Sequence, residues 1–346
     1  MNILIIGNGF DIAHGLLTRY KDFLIICEGI KNNSIVKGHK IIYVVVDKDE
    51  EKNKIIKEMI EKMENVYDDF KRIVINNKWI DLLLSKKDVI GEDWIDIEEE
   101  IRVTLNLLYS YKDGTTKEVV ERVVLNEKSL NIMCKDYMNS DRKITYRRLF
   151  EKLLEEKNKL IRALEIYMDA VNRIEIEINS YFLDKKIDKV LTFNYTDIFE
   201  KNYIGEVEYC YIHGKADASR EEEKSNLVLG FDDHYFEDKQ VRAELIPFEK
   251  YYQRIVKRTD NNYFKWLEDM DDQENMVYIY GHSLGASDGD VLKKFILKEN
   301  TKVYIYYYDE LDRATKIRNL AIILGPDTLI EKTGGNNPVI QFETSE

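Results

Sequence analysis

Proline is nearly absent from this chain: three occur in 346 residues, none of them between residues 50 and 185. With no helix breaker and few turn signals, that stretch reads as helical and charge-rich. Cysteine is equally sparse. Cys27, Cys134 and Cys210 lie far apart without a Cys-x-x-Cys pair, which excludes a disulfide framework and a zinc ribbon and fits a reducing cytosol. Long apolar runs are missing too. The opening run is short and has no basic flank, and Lys40-Ile41-Ile42-Tyr43-Val44-Val45-Val46 cannot span a bilayer, so neither secretion nor membrane insertion is expected. Positive charge is in deficit, and a net charge of -13 argues against broad binding to a phosphate backbone. Arg142, Lys143, Arg147, Arg148 and Lys152 form a local basic run, which reads first as a solvated helix face, so nucleic acid is not an expected partner.

What is present begins at the first residue. The apolar run Ile3-Leu4-Ile5-Ile6 passes into Gly7-Asn8-Gly9-Phe10-Asp11, and the positions that follow suit a helix. Glycines let a backbone approach a ligand without a Cβ in the way, and a helix N-terminus attracts an anion, so residues 7–9 are a candidate phosphate cradle. A dinucleotide fingerprint would place a third glycine where Ile12 stands, and no acidic residue follows a second strand at the usual distance. A turn that uses glycine only for its geometry accounts for the same residues.

Strand-like runs cover Ile3 to Ile6, Ile41 to Val46, Lys189 to Phe193, Val207 to Ile212, Leu227 to Leu229, Val277 to Tyr280 and Lys302 to Tyr308. Most lie toward the two ends of the chain, which makes residues 50–185 a helical insertion in an α/β domain. Its longest helix starts near Thr145. Leu149, Leu153, Leu160, Leu164, Tyr167, Val171, Ile174, Ile178 and Phe182 fall on one stripe along about 50 Å, either packed within the insertion or presented to a partner.

Three further sites sit where strands end. Thr192-Phe193-Asn194-Tyr195-Thr196-Asp197 is a polar cluster at the carboxyl end of a strand, where open α/β sheets take ligands; Asn194 or Thr196 could equally cap the next helix. His213-Gly214 follows the next strand, placing a group able to move protons near neutral pH beside open backbone, although an ordinary hydrogen-bonded histidine fits as well. Gly281-His282-Ser283-Leu284-Gly285 lies between a strand and a helix and matches the Gly-x-Ser-x-Gly elbow of esterases. That fold needs a histidine after the serine, and none follows Ser283. Gly281 and Ser283 then read as a second contact surface for phosphate or ribose.

Taken together, the chain resembles the AbiH-like family of bacteriophage abortive infection. The likeness rests on Gly7 to Leu16, Thr18 to Phe23, Trp94-Ile95-Asp96-Ile97-Glu98, Phe193-Asn194-Tyr195-Thr196, Ile212-His213-Gly214, Phe264-Lys265-Trp266-Leu267 and Tyr280 to Leu284. The order of motifs also resembles, distantly, the sirtuin-type (SIR2-like) nucleotide fold, with its Gly-x-Gly loop, Thr-x-Asn, His-Gly and Gly-x-Ser-Leu. That resemblance implies a site in which Asn194 orients a ribose or a water and His213 is the base. Gly7, Asn8, Gly9, Asp11, Thr192, Gly214, Gly281 and Ser283 would line the nucleotide. The cysteine quartet of deacetylase sirtuins is missing, which leaves cleavage of NAD as the implied chemistry, without a metal. Asp11 stands where an uncharged residue is common, so it caps the helix, binds ribose or repels dinucleotides.

The expected fold is a three-layer, Rossmann-like α/β domain with a mainly parallel sheet, formed by residues 1–49 and 186–346, with residues 50–185 inserted as a helical subdomain. The expected function is that of a cytoplasmic anti-phage effector that binds a nucleotide, NAD, and hydrolyses its nicotinamide N-glycosidic bond. A second copy of the chain or a phage-derived activator is the candidate partner. The alternative is a non-catalytic nucleotide sensor or interaction protein on the same fold.

Overall fold

The computed structural model describes the chain except for residues 39–41, 47–48, 91–95, 114–118, 121–123, 125–126, 139–143, 178–184, 204, 233–242, 271–273 and 346, and except for the side chains of 87–90 and 113. Among the described residues the strands are β1 (Asn2–Ile6), β2 (Ile35–Lys37), β3 (Ile42–Val44), β4 (Lys189–Thr192), β5 (Glu208–Tyr211), β6 (Asn275–Tyr280), β7 (Thr301–Tyr307) and β8 (Ile340–Thr344). Six of them form one sheet in the order β5-β4-β1-β6-β7-β8. Every neighbouring pair is parallel, so the sheet is parallel throughout. Counted along the chain this is the 3-2-1-4-5-6 order of the Rossmann arrangement, with the direction of winding reversing between β1 and β6.

Ile3, Leu4, Ile5 and Ile6 are all buried, which explains a strand without polar alternation: it lies at the centre of a parallel sheet. Ile3 and Ile5 share one core with Leu191, Val277, Ile279, Val303 and Ile305 from neighbouring strands. Trp266, Leu292, Phe295 and Leu320 belong to it as well, carried by the helices Tyr263–Asp269, Gly289–Ile296 and Glu310–Leu324. The register aligns the strand ends, with Ile6 opposite both Thr192 and Tyr280, and Thr192 opposite Tyr211. The segments that follow β1, β4, β5 and β6 therefore leave from the same edge.

The chain divides into two compact units, one of Met1–Thr18, Glu175–Lys215 and Arg258–Glu346, the other of Arg19–Ile174 and Ala216–Lys257. The first holds the parallel sheet. The second is helical and includes the helix Tyr20–Lys31, whose Phe23 ring meets Phe70 at 6.5 Å and Tyr167 at 5.4 Å. Segment Ala216–Lys257 joins this unit through the ion pairs Arg220–Glu165 (3.3 Å) and Lys250–Glu98 (2.9 Å).

Several expected elements differ. The long helix spans Tyr146–Val171, begins at a Thr145 cap that accepts from the Arg148 amide at 3.2 Å, and ends at Asn172. It is therefore shorter than the stripe suggested; Ile174 lies beyond its end, and Ile178 and Phe182 fall outside the described residues. From Leu160 to Val171 nearly every side chain is buried, so the helix is a core element. Of the described residues within Ile41 to Val46, Ile42–Val44 form a strand that pairs antiparallel with Ile35–Lys37 in a separate two-stranded sheet, and Ile41 lies outside the described residues.

Leu227 to Leu229 is buried but is not a strand. Its backbone is satisfied by side chains instead. Gln253 accepts from the Leu229 amide at 3.3 Å and donates to the Leu229 carbonyl at 2.9 Å, while Lys257 donates to the Leu227 carbonyl. In the basic run, Arg147 and Arg148 pair with Glu151 and Lys152 with Glu155, the pattern of a solvated helix face. Arg142 and Lys143 lie outside the described residues.

Candidate functional site

The loop after β1 meets the loop after β6 backbone to backbone. Gly7 donates to the Tyr280 carbonyl at 3.2 Å and Gly9 to the Gly281 carbonyl at 2.7 Å, while the Phe10 amide turns back to the Gly7 carbonyl at 2.9 Å. A Cβ on Gly9 would stand 2.7 Å from the Gly281 Cα, and one on Gly281, whose φ is +67°, would stand 2.1 Å from the Phe10 nitrogen. Close packing of two loops thus accounts for glycine at both positions. The amides of Gly7 and Gly9, expected to face a phosphate, have protein partners here. Asn8 and Ser283 are exposed beside this junction.

Asn194, from the loop after β4, joins the same place. Its side-chain amide donates to the Gly7 carbonyl at 3.0 Å, and its backbone amide donates to the Thr192 hydroxyl at 3.0 Å. Asp11 lies on the helix Asn8–Ala13 and is buried. It neither caps that helix nor faces solvent: one carboxylate oxygen accepts from the Thr196 hydroxyl at 2.6 Å, and the other is buried without a hydrogen-bond partner. Burial pushes its carboxyl up to about 7, with Asp197 adding to the rise and the Thr196 and Asn194 side chains opposing it.

His213, from the loop after β5, is also buried. Its Nδ1 faces the Phe193 carbonyl at 3.2 Å, and its Nε2 faces an Asp288 carboxylate oxygen at 3.2 Å. A carbonyl only accepts, so Nδ1 carries a proton and Nε2 is the nitrogen that can gain or lose one. The second Asp288 oxygen lies 3.6 Å from Nε2 of His282, whose Nδ1 accepts from the Leu284 amide at 2.9 Å. The Phe193 ring stands edge-on to both imidazoles, at 5.4 Å and 4.4 Å. Gly214 donates to the Tyr211 carbonyl at 3.1 Å and closes the turn that presents His213.

The structure therefore brings Gly7, Gly9, Asp11, Thr192, Asn194, His213, Gly214 and Gly281 to one edge of the sheet. Asp288 and His282 were not singled out from sequence. Asp288 opens a helix and looks like a capping residue, and only the tertiary structure places it against His213. Ser283 does not have the geometry of an elbow nucleophile: the left-handed backbone belongs to Gly281 and Leu284, and the Ser283 carbonyl accepts from Asn319 at 2.8 Å. Trp266 of the family-like motif is structural, donating to Glu208 at 2.9 Å from within the core. Asp96 accepts from the Glu98 and Glu99 amides at the start of the helix Ile97–Asp113, while Trp94 and Ile95 lie outside the described residues.

A cavity of about 310 Å³ opens at the other end of the sheet, beside Thr301 at the start of β7, and none of these residues lines it. Among the described residues no group of three acidic, histidine or cysteine side chains could hold a metal ion, and no helix is long and apolar enough to cross a membrane. Cys27, Cys134 and Cys210 are buried free thiols whose pKa burial raises.

No curated protein and no solved structure matches the chain. Residues 3–309 match the family described as bacteriophage abortive infection AbiH, which takes in every motif named above from the Gly7 loop to the Ser283 loop, and the chain belongs to that family.

Proposed function

We propose that the carboxyl edge of β1, β4, β5 and β6 is a nucleotide site, and that within abortive infection this protein acts on NAD by cleaving its nicotinamide N-glycosidic bond. The observation that carries this reading is the meeting of Asn194 and His213 with the two glycine loops at the point where the sheet reverses its winding, the place where open α/β sheets take ligands. The sirtuin-like order of the motifs supplies the substrate class.

Nicotinamide leaves as a neutral group, so its departure needs little acid catalysis; the site must orient the ribose and provide a base. Through a transition state of oxocarbenium character, the water oxygen bonds to the anomeric carbon as the carbon–nitrogen bond breaks. The electron pair of that bond goes to the ring nitrogen, which loses its positive charge. The water proton goes to Nε2 of His213, while Asn194 orients the ribose or the water. Asn8 and Ser283, the exposed residues of the junction, contribute the nucleotide-facing surface together with the Gly9 and Gly281 backbone, and Gly7, Asp11, Thr192 and Gly214 hold the edge that presents it. Depletion of NAD would end the growth of an infected cell, and a phage-derived activator or a second copy of the chain would be the trigger.

A non-catalytic nucleotide sensor is the second reading. In its favour, the base of the catalytic reading, His213, is only 5% exposed and both of its ring nitrogens face protein oxygens. Incubating the purified protein with NAD and following the products by chromatography separates the two. Release of nicotinamide together with ADP-ribose supports cleavage; unchanged NAD that nevertheless binds saturably supports the sensor.

A further inference from the structure

We propose that Asp288 is the positioning residue of His213, held in place in turn by His282. This rests on the reading of His213 as the group that takes up a proton, and it adds two residues to that site.

Asp288 occupies the N-cap position of the helix Gly289–Ile296, and aspartate is among the best residues for capping a helix through its side chain. Its carboxylate makes no capping hydrogen bond. Asp288 ends a 3-10 turn, Ala286–Asp288, with φ -112° and ψ 5°, and this is not the extended backbone from which a capping side chain reaches the first amides. The carboxylate lies instead between two imidazoles, 3.2 Å from His213 and 3.6 Å from His282. The Asp288 side chain is only 12% exposed, and a buried carboxylate is costly unless it is paired.

The protons on the two rings follow from their other partners. His282 accepts the Leu284 amide at Nδ1, so its neutral form carries the proton on Nε2, directed at Asp288. The Leu284 amide is presented by a left-handed backbone, φ 57°, unusual for a branched side chain. His213 donates from Nδ1 to the Phe193 carbonyl, so a proton gained at Nε2 lands beside Asp288. The order of dependence is Leu284 amide, His282, Asp288, His213. Among the described residues, His282 from the loop after β6 faces Asp288, and the Tyr195 ring from the loop after β4 lies 6.3 Å from His213.

The test is Asp288→Asn, with Asp288→Glu as the rescue variant. The readout is the His213 imidazole titration, followed by nitrogen-15 correlation spectra and assigned by the signal lost in His213→Gln. In Asp288→Asn the His213 midpoint is expected to fall by about one pH unit or more, because a neutral amide replaces the charge that favours the imidazolium. Asp288→Glu should recover part of that shift. With NAD, kcat should drop at least tenfold with KM little changed. An unmoved midpoint accompanied by a lower melting temperature would assign Asp288 to helix capping and overturn the proposal. A shifted midpoint in a protein with no turnover of NAD would keep the pairing and remove the catalytic reading on which the role depends.

Discussion

Gly9 donates its amide hydrogen to the carbonyl of Gly281 at 2.7 Å, joining the loops after β1 and β6 where the sheet reverses its winding. Alanine at either position would force these backbones apart. Overpacking of this kind costs about 1–3 kcal/mol, and Gly281→Ala adds the strain of a left-handed residue. Gly285→Ala is the matched control, because its Cβ would meet nothing closer than 3.6 Å. Urea unfolding should show both Gly9→Ala and Gly281→Ala destabilised, with Gly285→Ala within about 0.5 kcal/mol of the parent. Equal stability of all three would mean that the loops do not depend on each other.

Asp11 introduces a pH dependence of known sign. Its folded-state value of about 7 lies above the ordinary 3.8, so the folded chain holds the proton more tightly and loses stability as pH rises through that window. The full cost above pH 7 is roughly 4 kcal/mol. Asp11→Asn removes it while leaving the Thr196 hydroxyl an acceptor. The variant should gain stability over the parent between pH 4.5 and pH 8, measured by urea unfolding at each pH. Parallel profiles would show that the Asp11 carboxylate is not held against its charge.

In the helical unit the sign reverses. Lys157 is buried 5.0 Å from the Phe248 ring, and its ammonium nitrogen has no hydrogen-bond partner. Burial, with repulsion from Lys257, holds it well below the ordinary lysine value, and burial brings Lys257 down to about 8. The unfolded chain binds more protons, so these groups make the protein more stable as pH climbs toward 10.5. Lys157→Met should stabilise the protein at pH 7 by on the order of 1–4 kcal/mol and flatten that rise. Loss of stability at pH 7 would indicate that the ammonium group is needed.

Ser283 should not be labelled by a fluorophosphonate probe. Its neighbour His282 turns Nδ1 to the Leu284 amide and Nε2 to Asp288, so neither nitrogen is placed to take the serine proton. Stoichiometric labelling at Ser283, read by mass spectrometry, would restore the esterase reading.

The fold was legible in sequence wherever local pattern and tertiary environment agree. Ile3 to Ile6 reads as a buried parallel strand because both of its faces are covered. Leu227 to Leu229 has the same local appearance, yet a glutamine 24 residues away supplies the hydrogen bonds that a neighbouring strand would have given. Ile340–Thr344 escaped notice because it is an edge strand only partly buried, with little apolar signal. At the site, Asn194, His213 and the glycines were legible as polar or flexible residues at strand ends. Asp288 was not, because an aspartate before a helix is ordinarily a cap, and nothing local reveals that its side chain has turned to a histidine from another strand's loop.

The most direct test of a nucleotide site on this edge is calorimetric titration of NAD into the parent protein, His213→Ala and Asn194→Ala. His213→Ala removes the proton acceptor and should retain saturable binding at one NAD per chain, with an affinity within a few-fold of the parent. Asn194→Ala removes the side chain that reaches Gly7 and should bind at least tenfold more weakly. No saturable binding by the parent or by His213→Ala, or an Asn194→Ala affinity equal to that of the parent, would contradict the placement of NAD at the carboxyl ends of β1, β4, β5 and β6.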